Sequence, residues 1–211
     1  MDSPLDLYVR AHSSPQSEAL EWIERQTYIR TNYPRMLSGA VQGRLLTILS
    51  RLCRSRRILE IGTFTGYSAL CLAYGLEEGG CVDTLEINDE LEDICREGWS
   101  RAGVEDRIRL HIGDARAILP SLESESYDLV YIDANKREYC EYFDLVLPLL
   151  RTGGLILADD VMLGGKVFEE PLPRDAQTLA LASFNEKVMK DRRVEVVILP
   201  IRDGLSLIRK K

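Results

Sequence analysis

Four residues in the second half of the chain could do chemistry together. Asp133 sits in YIDANKREY with Lys136 three positions on, and Asp159 and Asp160 sit side by side in LILADDVMLGG. Each motif follows a short apolar run of strand type, so both lie at strand ends. Taken alone, ADD reads as a strand end capped in water and Lys136 as a surface charge. Together, on neighbouring strands of one sheet, they bring three carboxylates to one crevice, where they repel unless a cation joins them. Oxygen-only ligands suit Mg2+, with Mn2+ or Ca2+ also compatible.

A second constellation lies upstream in ILEIGTFTGYSALCLA. An apolar strand ends on Glu60, followed by Gly62, a short polar turn, Gly66 and a helical stretch with Ser68 in its first turn. Glycines let the backbone approach a ligand, and a helix start offers free N–H groups. The spacing is neither that of a pyrophosphate-binding glycine motif nor that of a P-loop. A smaller anion fits better, such as an amino-acid carboxylate, with Glu60 suited to an ammonium group. The next strand ends on Glu86, placed to take ribose hydroxyls, and GDA at 113–115 places Asp114 and Ala115 where an adenine edge would lie. A ligand with carboxylate, ammonium, ribose and adenine is S-adenosylmethionine.

The elements that must hold these residues follow a regular rhythm. The first 55 or so residues read as helical, with a helix opening at Ser14 and Pro15 that buries Leu20, Ile23, Tyr28 and Ile29. A second helix near 38–53 carries Val41, Leu45, Ile48, Leu49 and Leu52 on one side. From Arg57, strands at 57–61, 81–87, 107–112, 127–132 and 154–158 alternate with helices near 66–76, 89–101, 114–120 and 138–150. Such alternation means a parallel sheet with helices on both faces. After a helix near 174–190, RVEVVILPIRDGLSLIRK reads as an antiparallel hairpin at the sheet edge. The expected fold class is therefore α/β, a seven-stranded, mostly parallel sheet ending in an antiparallel hairpin. A plain dinucleotide-binding fold would end in parallel strands, which disfavours a nicotinamide dehydrogenase.

Composition narrows the class of protein. A net charge of -7 provides no global basic field for nucleic acid or anionic lipid. The basic run RLCRSRR at 51–57 reads as the solvated end of a helix. The N-terminus MDSPLDLYVR lacks the apolar core of a signal peptide, and no run approaches a membrane span. Five scattered cysteines and two histidines fit a reduced, cytoplasmic protein without a zinc site.

From about residue 18 to 210 the sequence resembles the cation-dependent O-methyltransferases that include catechol and caffeoyl-coenzyme A O-methyltransferases. The motifs that carry the resemblance are NYPRMLSGAVQGRLL, LEIGTFTGYSALCLA, LEIND, GDA, YDLVYIDANKREY, GGLILADDVMLGGKV and PIRDGLSLIR, in that order. The resemblance implies a Rossmann-like class I methyltransferase fold in a single domain over 1–211, with residues 1–55 as a helical cap. It implies cofactor contacts from Met36, Ser38, Gly62, Phe64, Ser68, Glu86 and Ala115, and metal ligands at Asp133, Asp159 and Asp160. Asp133 would also lie near the reacting methyl, and Lys136 would be the general base, its pKa lowered by the cation and by burial. The chain departs from the family at Asp160, where Asn is usual, and at Leu163, where a large residue, often Trp, is usual.

The expected acceptor is a small aromatic diol, and the expected assembly is a homodimer. Some relatives methylate a hydroxylated uridine in transfer RNA, a reading that the acidic charge disfavours. A non-catalytic cofactor-binding protein would have no use for Asp133 and Lys136, and both are present.

Overall fold

The computed structural model describes residues 4–211. Three helices come first, α1 (Pro4–Ala11), α2 (Glu18–Arg30) and α3 (Gly39–Leu52). The alternating part follows as β1 (Arg57–Ile61), α4 (Tyr67–Ala73), β2 (Cys81–Glu86), α5 (Glu92–Arg101), β3 (Ile108–Ile112), α6 (Ala115–Ile118), β4 (Tyr127–Ile132), α7 (Tyr139–Val146) and β5 (Leu150–Ala158). The chain closes with α8 (Ala176–Lys190), β6 (Val194–Leu199) and β7 (Leu205–Lys210). The sheet order is β3-β2-β1-β4-β5-β7-β6, and β7 runs antiparallel to both neighbours. This is the expected seven-stranded sheet with its terminal hairpin. Among the described residues no helix is long and apolar enough to cross a membrane.

Strand order reverses between β1 and β4, and a doubly wound sheet opens a crevice at the carboxyl ends of such a pair. The ladder continues one step beyond the strands: Gly62 N–H donates to Leu85, Asp133 N–H to Ile61 and Asp159 N–H to Ile132. Those bonds set Gly62, Asp133 and Asp159 in one row along the sheet top. One face of the sheet is covered by α7 and α8 through Tyr139, Phe143 and Phe184. The other is covered by α2 to α5 through Ile23, Leu46, Leu70 and Trp99.

The N-terminal helices differ from their sequence pattern in two ways. Ser17 caps α2 by accepting from Leu20 N–H, so the helix starts at Glu18 and not at Pro15. Leu20 and Ile23 are buried as expected, but Tyr28 and Ile29 are exposed; the next inward position is Thr27, hydrogen-bonded to the Ile23 carbonyl and to Thr65. In α3 the buried residues are Gln42, Gly43, Leu46, Thr47 and Ser50, while Ile48 and Leu52 are exposed. The cause is a close crossing with α4. A Cβ on Gly43 would lie 2.7 Å from Cys71 Sγ, and the Thr47 and Ser50 hydroxyls donate to the carbonyls of Cys71 and Leu72. Small and hydroxylic residues win that face because backbone proximity, not apolar volume, is what it needs.

Candidate active site

Three cavities meet at the carboxyl ends of β1, β4 and β5. The first, about 280 Å³, is lined by Met36, Ser38, Gly62, Ser68, Asp133 and Lys136 among others. The second, about 530 Å³, shares Met36, Gly62, Phe64 and Asp133 with it and extends to Glu86, Asp114 and Ala115. The third, about 370 Å³, joins Asn32 to Met36 with Asp159, Asp160, Arg202 and Asp203. Met36 lines all three. The sequence-predicted cofactor and metal residues thus surround one connected crevice, apart from Glu60, which lines none of the three.

Gly62 makes the join possible. Its φ is +99°, and a Cβ there would stand 2.1 Å from the Asp133 carbonyl oxygen. Phe64 follows at φ 50°, and its N–H donates to Glu86 Oε2 at 2.7 Å. Asn88 N–H donates to the other oxygen at 2.9 Å, so two backbone amides fix the Glu86 carboxylate against the larger cavity. Asp114 is held differently. Its oxygens accept from the Arg116 backbone and guanidinium, a pairing that holds its carboxyl below the ordinary aspartate range.

The acids at the later strand ends are linked through Lys136. Its Nζ lies 2.8 Å from Asp133 Oδ1, 3.1 Å from Asp160 Oδ2 and 2.8 Å from the Tyr139 hydroxyl. Burial alone would pull this ammonium toward neutrality, but Tyr139, Asp133 and Asp160 outweigh it, and its pKa stands well above the ordinary lysine value. Asp159 is 3% exposed. Its Oδ2 accepts from Gln42 Nε2 at 2.5 Å and from Tyr131 at 2.8 Å, and its Oδ1 accepts from Asp160 N–H. Burial, then the charges of Asp133 and Asp160, raise it to about 6.

Among the described residues, no three His, Cys, Asp or Glu side chains stand gathered around one point as a metal cage. The donor set nevertheless fits a hard cation in its chemistry. It offers only carboxylate oxygens, and two of the three acids already converge on one positive charge, the Lys136 ammonium.

Matches to known proteins agree with this geometry. The profile of the O-methyltransferase family matches residues 10–211. The chain belongs to the O-methyltransferase family. It is 35% identical over 213 residues to catechol O-methyltransferase domain-containing protein 1 of Mus musculus, covering 99% of this chain and 80% of that one. Catechol O-methyltransferase of Niastella koreensis is 36% identical over 174 residues, 79% of this chain and 78% of the relative. Among solved structures, an O-methyltransferase from Bacillus cereus in complex with SAH superposes with a TM-score of 0.91 at 31% identity, over 99% and 98% of the two chains. The O-methyltransferase TomG from Streptomyces achromogenes, in complex with SAM, gives 0.90 at 32% identity over 98% and 96%.

Several residues around this O-methyltransferase site lie within the motifs that carry the resemblance, but their own types signal no role there. Leu163, at the position where the family tends to be large, packs partly buried against the core and lines none of the three cavities. The aromatic wall of the third cavity is Tyr33, from the segment before α3. Gln42 and Tyr131 hold Asp159, yet each reads in sequence as an ordinary helix or strand position. The apolar spacing of α3 draws the eye to Leu45, Ile48, Leu49 and Leu52 and away from the polar face that carries Gln42.

Glu60 is the deepest acid of the O-methyltransferase. Burial raises it to about 8, although the Ser68 and Thr84 hydroxyls favour its charged form. Its Oε1 is buried without a hydrogen-bond partner. A carboxyl near 4.5 when unfolded and near 8 when folded binds more protons in the folded chain between those values. Its contribution to stability is therefore full at acid pH and lost as pH rises through 8. Glu60→Gln, neutral throughout, should flatten the decline, which can reach about 1.4 kcal/mol per pH unit in the wild type. Urea denaturation of both proteins at several pH values measures the difference; parallel profiles would show that Glu60 titrates normally.

Proposed function

We propose that this O-methyltransferase moves the methyl group of S-adenosylmethionine to a hydroxyl of a small catechol-like or caffeoyl-type acceptor. The observation that carries the proposal is the junction of three cavities at Met36, with Asp133 shared by the first and second and Asp160 by the first and third. The methionine end of the cofactor fits the first cavity, where Ser38, Ser68 and the Gly62 backbone offer polar contacts, and the adenosine end fits the second. There the pinned Glu86 carboxylate suits ribose hydroxyls, and Ala115 leaves room for a flat base. The acceptor then enters from the third cavity, between Tyr33 and the acids.

The reaction breaks the sulfonium S–CH3 bond, forms an O–CH3 bond and releases the hydroxyl proton. A phenol with a pKa near 10 is a weak nucleophile until ionised. Asp133, Asp159 and Asp160 would hold Mg2+, or Mn2+ or Ca2+. A divalent cation so held supplies Lewis acidity that favours the ionised form of a chelated hydroxyl. Asp133 bounds both the cofactor and the acid cluster, so it orients the acceptor oxygen toward the methyl. Lys136, within reach of Asp133 and Asp160, receives the hydroxyl proton once its own Nζ has released one to solvent. Tyr139 keeps Nζ aimed at the site by accepting from it while donating to the Asp159 carbonyl at 2.8 Å.

A homodimer belongs to the same proposal, supported by the exposed Leu5, Leu7 and Tyr8 of α1 and Ile48 and Leu52 of α3. The free thiols fit a cytoplasmic setting. Incubation with labelled S-adenosylmethionine and a panel of catechol, caffeoyl thioester and transfer RNA, with Mg2+ or a chelator, tests the reading. Label should pass to the diols and stop with the chelator. Label on transfer RNA alone would replace the small-molecule acceptor.

Asp160→Asn probes the charge of the acid set. Asp160 has φ 55°, a region that Asn adopts readily, so the backbone should accept the change. Removing one of three negative charges should loosen Mg2+, because a carboxylate at contact distance attracts the ion more than an amide does. The same loss should strengthen the pull on the acceptor and move the acidic limb of the rate profile to lower pH. Calorimetric titration with Mg2+ and pH–rate profiles check both; a variant that binds Mg2+ as tightly removes Asp160 from the ligand set.

A further inference from the structure

The turn between β6 and β7 lies at the sheet edge beside the third cavity, and one of its residues adopts a costly conformation. Arg202 has φ 50°, a left-handed backbone that favours glycine. Its guanidinium reaches across the crevice mouth, donating to the Leu37 carbonyl at 2.6 Å and to the Arg35 carbonyl at 3.4 Å. Residues 32–37 link α2 to α3 and contain a short helical turn, Pro34–Met36, closed by Met36 N–H to Tyr33 and Leu37 N–H to Pro34. Among the described residues, the Arg202 bonds are those that reach this segment from elsewhere in the chain. The segment carries Tyr33 and Met36, which bound the cofactor cavities as well as the acceptor cavity. Both are largely exposed, at 70% and 58%, so packing alone holds them weakly. Arg202 itself lines only the third cavity.

We propose that Arg202 is a positioning residue that ties the Asn32–Leu37 segment to the β6–β7 turn, and so sets the wall that cofactor and acceptor share. A planar guanidinium is suited to the task, since its fixed fork can engage two carbonyls at once and stays charged at any working pH. The strained backbone persists because the tie requires a long, forked side chain at that point. The tie acts on cofactor binding from outside the cofactor cavities.

Arg202→Gly separates this role from simple support of the fold. Glycine relieves the left-handed backbone, so a purely structural view of the turn predicts equal or greater thermal stability and unchanged ligand binding. The positioning role predicts the same or a slightly higher Tm together with weaker binding of S-adenosylhomocysteine, by about fivefold, the order expected from losing one or two hydrogen bonds that order a binding segment. Arg202→Lys, which keeps a single donor group, should recover part of that affinity without gaining Tm. Calorimetric titration with S-adenosylhomocysteine and a thermal melt are the measurements. S-adenosylhomocysteine binding within twofold of the wild type in Arg202→Gly overturns the inference, and so does a marked fall in Tm accompanying the weaker binding. The inference rests on the cofactor reading but not on the identity of the acceptor. If the wild type itself fails to bind S-adenosylhomocysteine, the cofactor reading falls and takes the inference with it; if only the variant's loss is missing, the inference alone falls.

Discussion

Lys136→Ala should lower kcat by about 10²–10⁴-fold, the range over which a general acid–base group normally acts. Cofactor affinity should change little, because Lys136, although it lines the first cavity, bonds to Asp133, Asp160 and Tyr139 and not to Ser38, Ser68 or the Gly62 backbone. Mg2+ affinity should hold or rise, since the ammonium that competes for two of the proposed ligands is gone. Falling turnover with undiminished metal binding is therefore the signature. The pH profile carries independent information. Lys136 is held protonated above the ordinary lysine range, so the fraction able to accept a proton grows as pH rises. The wild-type rate should climb on the alkaline side, and the variant should lose that dependence. A drop of less than tenfold with an unchanged profile would leave Lys136 as a counter-charge for the two aspartates and nothing more.

Gly62→Ala should cost about 3 kcal/mol or more of folding stability and remove activity with it. The methyl group would have to share space with backbone, at 2.1 Å from the Asp133 carbonyl oxygen and 2.8 Å from its carbon. A flexible side chain could swing away from such a contact, but the carbonyl belongs to the strand end that carries Asp133. Either β1 and β4 separate at the crevice or the loop abandons φ +99°, and both displace the site. Gly79 provides the control. It also has positive φ, at +73°, but a Cβ there meets nothing within 4 Å. Gly79→Ala should therefore lose only the backbone part, about 1 kcal/mol. Urea denaturation of the two variants and the wild type gives the comparison. Losses equal within error would show that backbone conformation, not contact with β4, makes Gly62 necessary.

The pattern of strand and helix along the chain by itself determined the seven strands, the parallel body and the closing hairpin, because short β-rich runs separated by helical stretches admit few other arrangements. Their edges shift by a few residues; β5, expected at 154–158, runs over Leu150–Ala158. Local chemistry also singled out Glu60, Gly62, Glu86, Asp133, Lys136, Asp159 and Asp160, since charged residues and glycines directly after buried strands are poorly explained by core packing. The tertiary structure decided what no run of neighbours encodes. Gln42 meets Asp159 across 117 positions, and Arg202 meets Leu37 across 165. Such contacts depend on how helices and loops are docked over the sheet, and periodicity describes only one element at a time. The same limit explains α3, whose face toward α4 carries small residues because that close crossing rewards them over large ones, leaving Ile48 and Leu52 exposed. It also explains Lys136: the charge of its side chain follows from residue type, but its raised pKa comes from the acids at two strand ends and a tyrosine beside them. Proximity in the sequence brought Asp133 to it, and only the fold brought Asp160.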